Sequence, residues 1–447
     1  MPKLSLCLIA RNEEDDLPRC LESVRQVADE IVVVDTGSTD NTVNIALSFD
    51  AKVVEVPWQD DFSIPRNRAL EEASGDWILV LDADEALNDE SRRHIREAVT
   101  SDVDALNIII RNHLSDDSLF EPRSNRFVRL FRHRPEFRFE GRVHEQILPS
   151  IQRSGGQVQE CDDIVIDHFG YADNDAGKEE RRQRNLRLLD IEVETNPEDG
   201  FVRYHMGATL QSMGKVNEAV EAFQAALDFG STNGSLPTDL QAKSHTRLAQ
   251  LYLAQDDLEA AIRHCGQSTE CGSTDSLTYF LAGVIHMHAG NFATAAEVLE
   301  YGLEIAEQHD DNSLQAGIRR NELRLALAHC QRFAGRTDAA SHTYNICVRE
   351  NPGSLDAWIG LGQCELERGI IPNAKLAFGR SLKLDSESEA AIAGWQECGV
   401  SKELRNLESG IWNLESGIWN LELRNQKSEI RNQQHLTAVS FPVFLIP

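Results

Sequence analysis

Glycine-rich phosphate loops are missing from this 447-residue chain: it holds no Gly-x-Gly-x-x-Gly and no Walker-type segment. That speaks against both a dinucleotide reader and a P-loop enzyme. No apolar run approaches the roughly 20 residues needed to span a bilayer. Met1-Pro2-Lys3 leads directly into strand-like residues, without the pattern of a signal peptide. The nine cysteines include no Cys-x-x-Cys pair and fall mostly at apolar positions, so neither disulfides nor zinc ligation is expected. Basic residues are scarce, with 44 Lys and Arg against 73 Asp and Glu. The resulting formal charge of −29 argues against nucleic acid as the main partner. These absences leave a multidomain protein of about two or three cores. It is expected in the cytoplasm, with a peripheral place at the inner face of the membrane left open.

What is present is organised around Trp77-Ile78-Leu79-Val80-Leu81-Asp82-Ala83-Asp84-Glu85. Five apolar residues in a row read as a strand buried on both faces, and it stops at a cluster of acids. Open α/β sheets bind ligands at the carboxyl ends of such strands. Hard carboxylate oxygens there suit Mg²⁺ or Mn²⁺, which in turn hold phosphates. Three earlier strand-like runs precede it, at Leu4–Ile9, Ile31–Val34 and Lys52–Val56. Helical patterns separate the four, near 15–28, 41–48 and 65–73. Alternation with short connections predicts a mostly parallel, Rossmann-like sheet. Its carboxyl edge then gathers Arg11–Glu13, Asp35–Asp40 and Asp82–Glu85. Asp40 is read as a helix cap, whereas turn formation alone is not the expected role of Asp35.

The set LSLCLIARNEE, EIVVVDTGSTDNT and IPRNRALEEASGDWILVLDADE, in that order over roughly residues 3–175, resembles family 2 glycosyltransferases of the GT-A fold. The branch it looks most like contains bacterial lipopolysaccharide-core β-glucosyltransferases. The resemblance implies a nucleoside-diphosphate sugar donor, taken as UDP-linked. It implies that Asp35 contacts the base or ribose and that Ala10, Arg11 and Glu13 form the loop under the base. Arg66 and Asn67 would lie near the nucleotide. Asp82 and Asp84 would be the Asp-x-Asp pair, with Asp84 the more direct metal ligand and Asp82 a ribose or metal-water contact. His168, at the end of a last strand, matches the place where many GT-A enzymes complete the metal shell. Glu145, in a Val-His-Glu element, is the candidate base of an inverting transfer, with Glu85 of the acid cluster as the alternative. The chain lacks the Gln-x-x-Arg-Trp element of processive synthases, so a single transfer is expected.

Seven arginines, from Arg123 to Arg142, stand out against the acidic background. Most read as a solvated face; one or two could neutralise a diphosphate or an anionic acceptor.

Past a charged helix at 176–199 the pattern changes. Gly207, Ala219 and Phe223 recur in spacing as Ala249/Ala261/Cys265, Gly283/Ala295/Leu299, Ala328/Ala340/Tyr344 and Gly362/Ala374/Phe378. A glycine follows the first member by seven residues in four of the five sets, at Gly214, Gly290, Gly335 and Gly369. With Trp358-x-x-Leu361-Gly362 this resembles tetratricopeptide repeats of about 34 residues. An all-α solenoid over 200–398 is expected, presenting a surface for a protein partner or acceptor. Residues 399–447 repeat Asn-Leu-Glu-Ser-Gly-Ile-Trp and read as a low-complexity tail. Catalytic domain 1–175, linking helix, solenoid and tail make the expected order. The acceptor stays open among a glycan, a lipid-linked sugar and a protein side chain. A repeat-based scaffold with a degenerate transferase domain is the competing reading, and a nucleotidyltransferase ranks last.

Overall fold

The computed structural model describes residues 2–113, 124–170, 175–309 and 314–399. The repetitive tail and Arg123 of the arginine-rich segment lie outside them. The chain divides into two compact units, one built on Met1–Leu251 and one mainly on the later helices.

The first unit opens with β1 (Leu4–Ala10), α1 (Leu17–Val24), β2 (Glu30–Asp35), α2 (Thr42–Ser48), β3 (Lys52–Glu55), α3 (Ser63–Glu72) and β4 (Trp77–Val80). It continues with β5 (Glu85–Leu87), α4 (Asp89–Ala98), β6 (Ala105–Asn112), β7 (Ser124–Arg132), α5 (Leu148–Arg153) and β8 (Val158–His168). The helices α6 (Asp175–Thr195), α7 (Gly200–Ser212), α8 (Val216–Asn233) and α9 (Thr238–Ala254) follow. One eight-stranded sheet runs β3-β2-β1-β4-β7-β6-β8-β5.

Its first four strands are parallel, as their alternation with helices requires. Beyond β4 the sheet becomes mixed: β7 pairs antiparallel with both β4 and β6, and β5 antiparallel with β8. The expectation of a mostly parallel sheet therefore needs correcting for this half. The arginine-bearing strand β7 inserts next to β4 and turns the direction, which the helix–strand rhythm of the first 80 residues does not foretell.

Alternation along the strands divides the core into two layers. Leu4, Leu6 and Leu8 of β1, with Trp77 and Leu79 of β4, face α1 and α4 through Leu17, Leu21, Ile95 and Val99. Cys7, Ile78 and Val80 face the other way, onto Ala69 and Leu70 of α3 and Ile151 of α5. A strand covered on both sides has to be apolar throughout, which is why β4 carries no polar residue until its end.

In the second unit the helices α10 (Leu258–Glu270), α11 (Ser276–His288), α12 (Phe292–His309), α13 (Leu314–Phe333), α14 (Thr337–Glu350), α15 (Leu355–Glu367), α16 (Ile371–Leu384) and α17 (Glu389–Glu397) follow one another. The predicted motif positions are buried: Ala295, Leu299, Ala328, Ala340, Tyr344, Ala374 and Phe378 are all 0% exposed. A β-carbon on Gly283 would meet Leu299 at 2.5 Å and one on Gly362 would meet Phe378 at 2.8 Å, so close helix approach demands glycine there. Gly290, Gly335 and Gly369 each end a helix with φ of 73–75°. In the repeat without a glycine, Asp256 takes that left-handed place at φ 62°.

Candidate active site

Strand β4 delivers Asp82 to the sheet edge between two guanidinium groups. Arg66, on α3, donates through Nη2 to Asp82 Oδ1 and through Nε to Glu145 Oε1 at 3.0 Å. Arg129, on β7, donates through Nη2 to Asp82 Oδ2 at 2.9 Å and to Glu85 Oε1 at 2.8 Å. A chain Glu145–Arg66–Asp82–Arg129–Glu85 thus lines the floor. Burial opposes the charge on Asp82, but the two guanidinium groups hold its carboxyl far below the usual range. Burial lifts Glu85 to about 7, with Arg129 pulling against it and Asp82 adding to it. Arg66 is 7% exposed at its side chain, and its Nη1 is buried without a hydrogen-bond partner among the described residues.

One step further, Asp84 Oδ2 lies 3.2 Å from His168 Nε2. The three-residue strand β5 explains the meeting, because Glu85 pairs with His168 in register and Phe169 donates its N–H to Asp84 O. Asn112 Oδ1 accepts from His168 Nδ1 at 2.9 Å, which turns Nε2 toward the carboxylate. Burial pushes His168 down, but the Asp84 hydrogen bond and the charges of Asp84, Glu85 and Asp82 outweigh it and leave its pKa raised. Two electron-pair donors facing each other need a cation or a proton between them. A β-carbon on Gly170 would sit 1.8 Å from Asp84 Oδ2 and 2.8 Å from His168 Nε2, so only glycine keeps this space open. Among the described residues no group of three or more His, Cys, Asp or Glu side chains forms a cage. A two-donor set of carboxylate and imidazole suits Mg²⁺ or Mn²⁺ that takes its other ligands from phosphate and water.

The loops after β1 and β2 build the neighbouring wall. Ala10 is buried at the end of β1 and its carbonyl accepts from Thr36 N at 3.0 Å, tying the two loops together. Arg11 is exposed beyond it. Glu13 donates its N–H to Thr42 Oγ1, and burial together with Asp84, Asp16 and Asp82 raises its carboxyl to about 7. Asp40 is not the helix cap expected of it: α2 starts at Thr42 with Asn41 in the N-cap position and no side-chain cap bond, and Asp40 Oδ1 accepts from Thr42 N at 3.0 Å in the turn before the helix.

Two residues have work beyond what was expected of them. Asp35 is 5% exposed, and its Oδ2 accepts from Gly37 N and Ser38 N at 3.0 Å each. It therefore closes the Asp-Thr-Gly-Ser turn, the role set aside on sequence grounds, and any nucleoside contact has to share that carboxylate. Asn67 clamps Phe139, donating to its carbonyl at 2.9 Å and accepting from its N–H at 2.8 Å. Its amide anchors the segment after β7 and is not turned to the site. Arg129 and Gly170 were not singled out for these places, and Glu85 only as an alternative base within the acid cluster. Alternation along β7 does not place Arg129, because the register against β6 slips there and Val128 and Leu130 join opposite layers of the core; nor does any local pattern announce a three-residue strand such as β5.

Open α/β sheets bind their ligands outside the carboxyl ends of their strands, which is where these arginines, acids and the histidine collect. Residues 5–154 match the family model described as glycosyl transferase family 2, and residues 325–389 match a tetratricopeptide repeat model. The family models thus mark a glycosyltransferase family 2 domain at the N-terminus and a tetratricopeptide repeat among the later helices. A TPR repeat-containing protein of Synechococcus elongatus, Synpcc7942_0270, is 34% identical over 267 residues, covering 59% of this chain and 64% of that protein. The SPbeta prophage-derived glycosyltransferase SunS of Bacillus subtilis is 26% identical over 238 residues, covering 51% of this chain and 54% of SunS. The chain spans less than two thirds of either relative's length. Among solved structures, S. aureus TarS 1-349 in complex with UDP-GlcNAc matches with TM-score 0.36 and 17% identity, over 60% of this chain and 91% of that one. No helix among the described residues is long and apolar enough to cross a membrane.

Proposed function

We propose that this protein transfers a sugar from a nucleoside-diphosphate donor, taken as UDP-linked, to an acceptor hydroxyl with inversion at the anomeric carbon. Residues 1–175 form the catalytic domain in this reading, 176–199 the linking helix and 200–398 a repeat solenoid that holds acceptor or partner. The observation that carries it is the Asp84–His168 pair, set beside the Glu145–Arg66–Asp82–Arg129 chain. Asp84 and His168 would hold Mg²⁺ or Mn²⁺, which when bound neutralises charge on the departing diphosphate. Arg66 keeps a spare buried N–H for a phosphate oxygen, and Arg129 fixes Asp82 beside it. The backbone of Ala10, Arg11 and the Asp35 turn supports the nucleoside.

Glu145, oriented by Arg66, takes the acceptor proton as the hydroxyl oxygen bonds to the anomeric carbon and the carbon–oxygen bond to the diphosphate breaks. Most of the acceleration comes from positioning and fixed charge. The test is UDP release from a panel of UDP-sugars, with and without Mn²⁺, by wild type and by Asp84→Asn. Metal-dependent release that the variant loses by about 100-fold is expected; equal turnover by both sinks the assignment. The scaffold reading draws on the self-satisfied polar chain, in which Glu145 and Asp82 are already paired. Calorimetry separates the two, since a scaffold shows no UDP affinity at any metal concentration.

A further inference from the structure

The loop between β7 and α5 is pinched at its base, where Glu140 and Gln146 exchange backbone hydrogen bonds of 2.9 and 3.0 Å. Inside it His144 sits at φ 57°, a left-handed conformation that costs a non-glycine residue about 1 kcal/mol or more. Its surroundings hold it there. The His144 ring stacks on His205 of α7 with centroids 4.0 Å apart and planes 16° from parallel. Beside the stack lies a cavity of about 200 Å³, walled by His144, by Arg181, Arg182 and Asn185 of α6, and by His205 and Thr209 of α7. At about 30 Å³ per water, that is room for roughly seven waters, or one monosaccharide-sized group, and far too little for a peptide.

The wall is cationic and rich in hydrogen-bonding groups. Burial pushes His144 down to about 4 and His205 well below its ordinary value, so the stack is neutral near pH 7 and offers ring N–H and lone pairs. Arg184, on the same helix, is depressed by burial and by Arg181 and Arg11. Arg11, Arg181, Arg182 and Arg184 therefore crowd one region of a chain that carries a formal −29. Arg182 pairs with Glu179 at 3.5 Å, Glu13 faces Arg181, and Glu180 and Glu145 act on Arg184, all four acids from outside the cavity wall. The position also matters. His144 is one residue from Glu145, and Arg184 feels both Glu145 and Arg11, so the cavity borders the base proposed above as well as the loop after β1. Beside that base is where an acceptor of the proposed reaction would have to lie.

We infer that this cavity binds a hydroxylated acceptor of monosaccharide size that carries an oxyanion, a phosphate or a carboxylate, on Arg181 and Arg182. Guanidinium groups recognise both anions in the same planar manner, while Asn185, Thr209 and the imidazoles meet hydroxyls. This rests on the transferase reading but does not need turnover to be tested. Glucose 6-phosphate, glucuronate and glucose are titrated by calorimetry into the full chain at constant ionic strength, with UDP and Mn²⁺ in parallel. Saturable one-site binding of at least one anionic sugar is expected, with glucose about tenfold weaker or worse. Ala208→Leu, at a further wall position on α7, fills the cavity and, like Arg182→Ala, weakens binding by about tenfold. Both leave UDP affinity and the thermal melt near wild type. Absence of saturable binding by either anionic sugar overturns the inference, as does equal affinity in both variants. Loss of UDP binding alone, with the anionic sugar still bound, sinks the transferase reading and leaves the cavity standing.

Discussion

At the scale of single residues, the site depends on which polar groups are left available. Asp82 is committed to two arginines, so in the proposed transfer the cation-facing role would fall to Asp84 and His168, and Gly170 preserves the space they share. Gly170→Ala should displace the Asp84 carboxylate, the movable end of a side chain, and not the backbone. We expect UDP release to fall by about 10- to 100-fold while the melting temperature stays within a few degrees; a kinetic assay paired with a melt checks this. Glu85 gives a pH prediction. Its folded pKa of about 7 lies above its ordinary value, so between the two the folded state holds the extra proton and stability falls as pH rises. Without added metal, denaturant midpoints should drop from pH 5 to pH 7.5, a window taken from that shift. Glu85→Gln should flatten the slope; an unchanged slope would show that other groups set it.

At the scale of elements, the repeat helices were the most legible part. Their small and large positions recur at fixed spacing because each glycine or alanine must admit a particular side chain, as Gly362 admits Phe378. Even the break in the pattern was informative, since Asp256 adopts the φ that Gly290, Gly335 and Gly369 adopt elsewhere. Asp tolerates that region better than most residues but still at some cost. Asp256→Gly should therefore be neutral or stabilise by up to about 1 kcal/mol, and Gly369→Val should destabilise by about 1–2 kcal/mol, both read from urea midpoints. Destabilisation by Asp256→Gly would mean that the aspartate side chain contributes more than its backbone strain costs. The parallel half of the sheet was legible for a similar reason, because four apolar runs separated by helical patterns admit few arrangements. The antiparallel half was not. β5 is too short to have a period, and the pairing of β7 with β4 is a long-range choice that no local run encodes. The site was accordingly half visible. Asp82, Asp84 and His168 could be placed from the strand ends that carry them, whereas Arg129 and Glu85 became partners only through that unencoded pairing.

At the scale of the whole molecule, charge decides how the nucleotide donor proposed above would reach this site. A chain with a formal −29 repels phosphates in general, and its answer is local: Arg66, Arg129 and Arg11 stand at the same sheet edge as the acids. That arrangement differs from a polyanion reader, which spreads cations along a surface and loses affinity steeply as salt displaces its counterion contacts. Screening here has opposing effects, because salt weakens the arginine contacts and the surrounding acidic repulsion together. The affinity for UDP in the presence of Mn²⁺ should therefore change by less than about threefold between about 0.05 and 0.2 M salt, whereas a DNA-binding protein with several phosphate contacts loses about a thousandfold over that range. Chelating the metal should cost far more than the salt does, at least about tenfold, because carboxylates would then face the diphosphate directly. Fluorescence anisotropy with labelled UDP measures both, and a labelled DNA duplex under the same conditions should show no binding. A steep salt slope with no response to chelation would reverse the order of these effects, and would place recognition in the arginines and not in the Asp84–His168 pair.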